Sequence, residues 1–583
     1  MKLSSLLWSL FGIMALSACS ENEMSEENDL EVKNGGRFLA VEIANPATTR
    51  AESVLDGDYE AGLDGENKVN SLRFYFFDGT GAPVSVNVVG DKNYVDCTEI
   101  ISEGQNDMPN VEKKLQAIVV INTKDGNNAN VSSMVAVANH ETVELGEGAL
   151  SLTEICKKIG DYSSVEKEEN NGSKIPHFLM TSSSYAGTDG QITVATINPV
   201  NLCKSEEDAK NNPVNIYIER VVAKTKLNAE WNTEKVTVKE NVTYQGKTYT
   251  AVALKDHKGN DIKVNEKQIY VIFTAWDITG TVDKSYLFKK VNSVTAWNLG
   301  WIWNNSDFFR SFWAMNPEDV KLGYISYNDI DCEVGENGVV YCLENAADNF
   351  DNGTKSAYNP DAQVCNRTQA IIAAVLVTVD GSQASPIDLA KWAGRDYTEE
   401  SVKVAMLNTM TNQIYIKETD GGGNEKFVSI KPEHVLLVTG TNAGEADDKS
   451  ENSARYLSYL QLTEEAKALD FYSSTSEDAK LTVDAVNTIL KSIPGAKVWK
   501  TGMTYYYTDL RHLGTEATKG LYGVVRNHIY DVNVQSVVGL GTPVYNPDEV
   551  IVPQKPGEDE TYIAAKINIL SWRIVNNDVD LVW

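Results

Sequence analysis

The strongest constraint on this chain is a pattern of period two, repeated in short runs. From Arg37 to Ala44, Leu39, Val41 and Ile43 fall on one side, and Phe38, Ala40 and Glu42 on the other. Successive side chains leave a pleated backbone in opposite directions, so this alternation predicts a strand. Beyond it, strand-like runs, alternating or apolar throughout, recur between turn signals at Leu72–Phe77, Ala117–Asn122, Phe178–Thr181, Ile192–Ala195 and Val214–Leu227. Further on they return at Val236–Val242, Ile269–Trp276, Ala370–Val379 and Lys497–Tyr507, with glycine- and asparagine-rich turns between. Short helices are expected near Ser132–Ala138 and Leu152–Ile159. One amphipathic helix is expected over Thr482–Ile493, where Val483, Val486, Ile489 and Leu490 share a face. Many short strands with few helices predict a mostly-β fold of two β-sandwich-like domains.

The N-terminus carries a different signal. A single Lys2 precedes the apolar run Leu6–Leu16, which is too short to span a bilayer and ends in Leu16-Ser17-Ala18-Cys19. Small residues before a cysteine at the end of such a run read as a secretory signal with a lipobox. Residues 1–18 are the expected signal peptide and Cys19 the expected lipidation site. Its thiolate takes a diacylglycerol, and palmitate-like chains add about 0.8 kcal/mol per buried methylene. The expected location is a bacterial envelope, outside the cytoplasm. Residues 19–34 are acidic and polar and read as a tether.

With 583 residues, the chain is too long for one core. Residues 35–230 and 231–543 are the expected N- and C-terminal domains. The 82 acidic against 52 basic residues, net charge −30, argue against a nucleic-acid partner. Beyond Cys19 six cysteines remain, without a CxxC pair or a neighbouring histidine, so free thiols are expected rather than a disulfide framework or a metal site. The six histidines are scattered, and His528 reads as a packed residue. No nucleophile elbow, P-loop or dinucleotide fingerprint stands at a strand-to-helix junction. No enzymatic activity, cofactor or metal is expected. Trp297, Trp301 and Trp303 alternate along one face of an aromatic-rich stretch. They suit a core, or alternatively the stacking surface of a glycan-binding lipoprotein.

The tail behaves as a separate part. Residues 544–560 hold three prolines, a glycine and five acids and read as an extended linker. In 561–583, Ile563, Ala565, Ile567 and Ile569 alternate, and apolar residues resume at Trp572, Val579, Leu581 and Trp583. Such a strand either closes its own domain or is donated to another molecule.

These residues, in this order, resemble the fimbrillins of type V fimbriae, most closely minor-fimbrium shaft subunits. The resemblance rests on the lipobox, the Arg50-Ala51 step after a strand, and Leu72-Arg-Phe-Tyr-Phe-Phe-Asp78. It continues in Val119-Val-Ile-Asn122, Glu219-Arg-Val-Val-Ala223, Tyr505-Tyr-Tyr and Val525-Arg-Asn-His-Ile-Tyr530, and closes on Ile567–Val575 and Asp578–Leu581. It implies a lipoprotein precursor cut by a trypsin-like protease between Arg50 and Ala51. The cut releases the first strand, and a neighbour's C-terminal donor strand fills the groove. The implied partners are further copies, anchor and tip proteins, and the implied role is a surface pilus supporting adhesion to host or bacterial surfaces.

Overall fold

The computed structural model describes residues 37–46, 65–86, 91–97, 101–103, 111–122, 130–160, 165–168, 174–183, 185–187, 190–290, 314–335, 337–345, 367–440, 456–512, 523–553, 562–570 and 574–577. Strands dominate and the helices are short, as the period-two runs require.

Nine strands form the first sheet among the described residues. Its order is Tyr94–Cys97, Leu72–Phe77, Ser133–Ala138, Met180–Ser182, Val214–Arg220, Arg37–Pro46, Val111–Ile121 and Ile101–Glu103, with Ala195–Thr196 joined at the side. Leu72, Phe74 and Phe76 pack on one face with Leu39, Val41, Val119 and Ile218. Tyr75 and Phe77 pack on the other with Val135, Val137 and Leu145. A strand covered on both faces is apolar throughout, which is why Leu72–Phe77 does not alternate.

Burial on two faces also corrects an expectation. Ser133–Ala138 is a strand between Leu72–Phe77 and Met180–Ser182, not a helix. Met134 to Ala138 are all buried, and a short run apolar on both sides has no period to separate helix from strand. The branched Val135 and Val137 favour the strand. The helix expected over Leu152–Ile159 is a single turn, Leu152–Ile155, closed by reciprocal Ser151 and Glu154 capping bonds. Ile159–Gly160 instead pairs with Ser285–Tyr286.

The run Val214–Leu227 is two strands, Val214–Arg220 and Val222–Ala229, broken at Val221. There the chain crosses to a second sheet, where Val222–Ala229 lies between Val339–Leu343 and Ile529–Val538. From this sheet Ala223, Leu227, Val532 and Val534 share a core with Val252, Val271, Ile372 and Tyr506 of a seven-stranded sheet. In the latter, Tyr270–Thr279 pairs with both Lys247–Ala253 and Gln369–Asp380, so the ladder closes on itself as in a barrel.

The strand expected over Lys497–Tyr507 is interrupted. Lys497–Trp499 and Met503–Asp509 flank a turn where Gly502 has φ +68°, and a Cβ there would lie 2.2 Å from the Leu376 carbonyl oxygen. Before this turn a further core forms that the sequence does not suggest. Ala390, Val402, Met406, Leu460, Val486 and Leu490 fill it, drawn from helices Glu399–Leu407 and Val483–Lys491 and the short strands around them. The second helix matches expectation, with Thr482 as its cap: the Ala485 amide donates to the hydroxyl at 3.2 Å.

The stretch 544–560 is docked where it is described, not extended free of the body. Val544 and Ile551 are buried with Ile330, Ile371 and Tyr505. A linker reading from prolines and acids overlooks Val544, Tyr545 and Ile551, which carry enough apolar surface to bind. None of the described helices is long and apolar enough to cross a membrane.

Candidate functional site: two terminal strands and the joint between them

The strand Arg37–Pro46 lies inside its sheet. On one side Val41 to Ala44 run parallel to Val214–Tyr217. On the other, Arg37 to Ala44 run antiparallel to Ile121–Lys114, with a bulge before Pro46. Phe38 extends the first side by exchanging two backbone hydrogen bonds with Cys203, each 2.9 Å. Leu39, Ala40 and Val41 are fully buried. Both ladder edges and both faces of this short strand are therefore occupied.

The C-terminal strand Tyr562–Leu570 sits differently. It runs antiparallel to Ile529–Val538, and beyond it lies Ile574–Asn577. The register sets Ile563 opposite Val537, Ala565 opposite Val534, Ile567 opposite Val532 and Ile569 opposite Tyr530. All four partners belong to the sandwich core. The strand is thus seated on its own chain, with only the hairpin strand Ile574–Asn577 beyond it in that sheet among the described residues.

Between the two sheets lies a joint of buried charges. Lys224 and Glu66 pair at 2.9 Å, their side chains 2% and 1% exposed. Burial opposes ionisation of Glu66, but the Lys224 ammonium, the Tyr341 hydroxyl and the Arg220 guanidinium together outweigh it and hold the carboxyl below its usual range. The Tyr341 hydroxyl also donates to this carboxylate. Arg220 donates to the Glu66 carbonyl at 2.9 Å and to the Asn527 side-chain oxygen at 3.0 Å. The Asn527 amide in turn donates to the Val222 carbonyl at 2.8 Å. Arg526 donates to Glu344 and to the Leu287 carbonyl, while His528 donates to the Arg526 carbonyl at 2.8 Å. His528 is packed, as expected. These contacts tie residues just after the segment 47–64, the Val221 crossover and the turn leading into Ile529–Val538 into one unit. Sequence reading misses the joint, since its hydrogen-bonded partners are separated by up to 307 positions. Glu219-Arg-Val-Val-Ala223 and Arg526-Asn-His are visible, but nothing in the sequence pairs them.

Several expected site residues lie outside the described residues: Cys19, Arg50, Ala51, Trp297, Trp301, Trp303, Trp572, Val579 and Leu581. Of the remaining six cysteines, Cys156, Cys203, Cys332 and Cys342 are free thiols. Burial pushes the Cys342 thiol up to about 12, so it stays protonated.

Residues 497–578 match the family described as Major fimbrial subunit protein type IV, Fimbrillin, C-terminal. Over this span the chain is similar to fimbrillin C-terminal regions. The resemblance is borne out over this span, which holds Tyr505-Tyr-Tyr, Val525–Tyr530 and the C-terminal strand. No curated protein sequence matches the chain. Among solved structures, a fimbrilin from Porphyromonas gingivalis is 13% identical, covering 90% of this chain and 96% of its own, with TM-score 0.32. The tip fimbrial protein Mfa3 from Porphyromonas gingivalis, with a C-terminal truncation, is 10% identical, covering 91% and 99%, with TM-score 0.28. A fimbrial assembly protein from Parabacteroides distasonis is 9% identical, covering 68% and 96%, with TM-score 0.25.

Proposed function

We propose that this chain is the precursor of a structural subunit of a type V fimbria, exported as a lipoprotein and polymerised by strand exchange. The observation that carries the reading is the place of Arg37–Pro46: an inner strand, paired on both sides, first of its sheet in chain order and directly before the segment holding Arg50. Loss of this strand leaves backbone groups of Val111–Ile121 and Val214–Arg220 unpaired and uncovers the core that Leu39 and Val41 complete. Only another strand satisfies both needs at once. The C-terminal region supplies a candidate in the segment 561–583 of a second copy. In this reading Cys19 bears the lipid that holds the precursor at the outer membrane. A trypsin-like protease cuts between Arg50 and Ala51, and the freed subunits join one another and anchor and tip proteins in an adhesive pilus. In this reading the N-terminal domain, its first strand removable, runs from residue 35 to the Val221 crossover, and the second domain from Val222 to 543, followed by the C-terminal segment.

The test is limited trypsin treatment of the purified precursor, followed by intact mass and negative-stain microscopy. Cleavage after Arg50 should precede other cuts and produce fibres, and Arg50→Ala should leave a monomer. Fibres without loss of the first strand, or a first cut elsewhere with no fibres, would count against the reading.

A further inference from the structure

The segment between the body and the C-terminal strand begins with a built attachment. After Thr542–Pro543 pairs with Thr504–Tyr505, the chain is held at four successive points. Val544 is buried with Ile330, Ile371, Ala373 and Tyr505. The Tyr545 hydroxyl donates to the Tyr456 carbonyl at 2.9 Å and accepts from the Val498 amide at 3.0 Å. The Asn328 amide donates to the Pro547 carbonyl at 3.0 Å, and the Asn328 side chain donates to Asp548 at 2.7 Å. Val550 bridges Ser326, and the Ile551 amide donates to the Ile325 carbonyl at 2.9 Å. The receiving loop is itself fixed, since the Tyr327 hydroxyl donates to the Ala374 carbonyl at 2.8 Å.

Three separate parts of the fold thus grip this segment: the loop 325–330, the strand Met503–Asp509, and the module that contributes Tyr456 and Val498. A spacer needed only to let a strand swing gains nothing from these contacts. Each ordered residue costs about 1–2 kcal/mol in backbone entropy, which the contacts must offset.

We propose that residues 544–553 are a permanent mooring that stays docked when the C-terminal strand transfers to another subunit, so the strand always departs from Pro553. This inference rests on the strand-exchange reading and adds to it the residues that position the donor. From Pro553 to Tyr562 a fully extended backbone spans about 30 Å, which bounds how far the receiving groove can lie from the body that donates. Releasing the mooring would roughly double that reach and blur the spacing between subunits.

Two engineered disulfides in the full-length precursor test this. Ser326→Cys with Val550→Cys locks the mooring, and Asp531→Cys with Asn568→Cys locks the C-terminal strand to its own sheet; residues directly opposite in antiparallel pairs lie within disulfide reach. After trypsin priming, the oxidised mooring lock should assemble within about twofold of the unmodified protein. The oxidised strand lock should lose at least about tenfold in fibre yield and regain it on reduction. Loss of assembly in the oxidised mooring lock, restored by reductant, overturns the mooring alone. Full assembly by the strand lock overturns strand exchange. Hydrogen exchange on the unmodified protein gives an independent reading: amides of 544–551 should keep equal protection in monomer and fibre, and their deprotection in the fibre overturns the proposal.

Discussion

The two terminal strands are alike in composition and opposite in placement. Arg37–Pro46 and Tyr562–Leu570 are both short apolar ladders near a chain end, and each pairs with an inner strand of its sheet. The first is closed in by a strand on either side. The second has the body on one side and its own hairpin partner on the other. A strand in the first position cannot leave without opening the sheet, whereas one in the second leaves an intact sandwich behind with an edge exposed. Under the strand-exchange proposal, that difference would make the first a strand that needs a protease to release it and the second one that needs only a competing partner.

Charge substitution at the two places gives the largest expected contrast. Val41→Asp sets a carboxylate in a fully buried site between Val214 and Ala117. It should destabilise the first sheet by about 5 kcal/mol or prevent folding. Deleting 562–583 should cost only about 2 kcal/mol, because ladder bonds contribute about 1 kcal/mol each net and the ordering of the strand offsets much of that. Urea titrations of the two variants decide it. A deletion as damaging as Val41→Asp would make the C-terminal strand an integral part of its domain and remove the contrast.

The joint between the two regions gives the next effect. Glu66→Gln leaves the Lys224 ammonium buried without its carboxylate, at an expected cost of about 3–5 kcal/mol. The sign in pH follows from the weakened proton affinity of the Glu66 carboxylate in the folded state. The pair's contribution is full above the ordinary carboxyl value of 4.5 and is lost as pH falls through the lower folded value. In thermal melts from about pH 7 to about pH 3, the gap between the two proteins should therefore begin to narrow as pH falls below the ordinary carboxyl range. A gap that persists unchanged through the acid range would show that the substitution harms packing rather than charge pairing.

How legible these regions are depends on the range over which their causes act. Leu72–Phe77 reads with its observed limits, because two-sided burial and turn residues act locally. The amphipathic helix is legible because Val486 and Leu490 face one core at helical spacing. Ser133–Ala138 misleads because its neighbours, not its own pattern, decide between helix and strand. The helix Glu399–Leu407 gives no clear signal in the sequence, and neither does the core it serves. The first strand is visible as a strand, but its inner place depends on Val111–Ile121 and Val214–Arg220, which no local pattern joins to it. Docking of Val544–Ile551 is hidden behind prolines and acids that, by composition, read as a spacer.

The smallest expected effect tests the interior of the barrel-like sheet, away from either end strand. Asp277 lies on the inner strand Tyr270–Thr279, where burial, with Asp331 and Asp329 nearby, pushes its carboxyl up to about 6 against an opposing hydrogen bond from the Ile278 amide. A carboxyl whose pKa is raised in the folded state binds its proton more tightly there than in the unfolded chain. Folding stability should therefore fall as pH rises from about 4 to about 6 and stay lowered above that. Asp277→Asn removes the ionisation. It should raise stability by about 1–2 kcal/mol near neutral pH, since a tenfold change in proton affinity is worth about 1.4 kcal/mol, and leave it unchanged below about pH 4. The gain should be the same with 562–583 present or deleted, because residues on opposite sheets without shared partners contribute additively. Calorimetry of the four proteins at both ends of that pH range measures this. A gain that appears only in the deleted form would tie Asp277 to the seat of the C-terminal strand, and the two sheets would then no longer be independent.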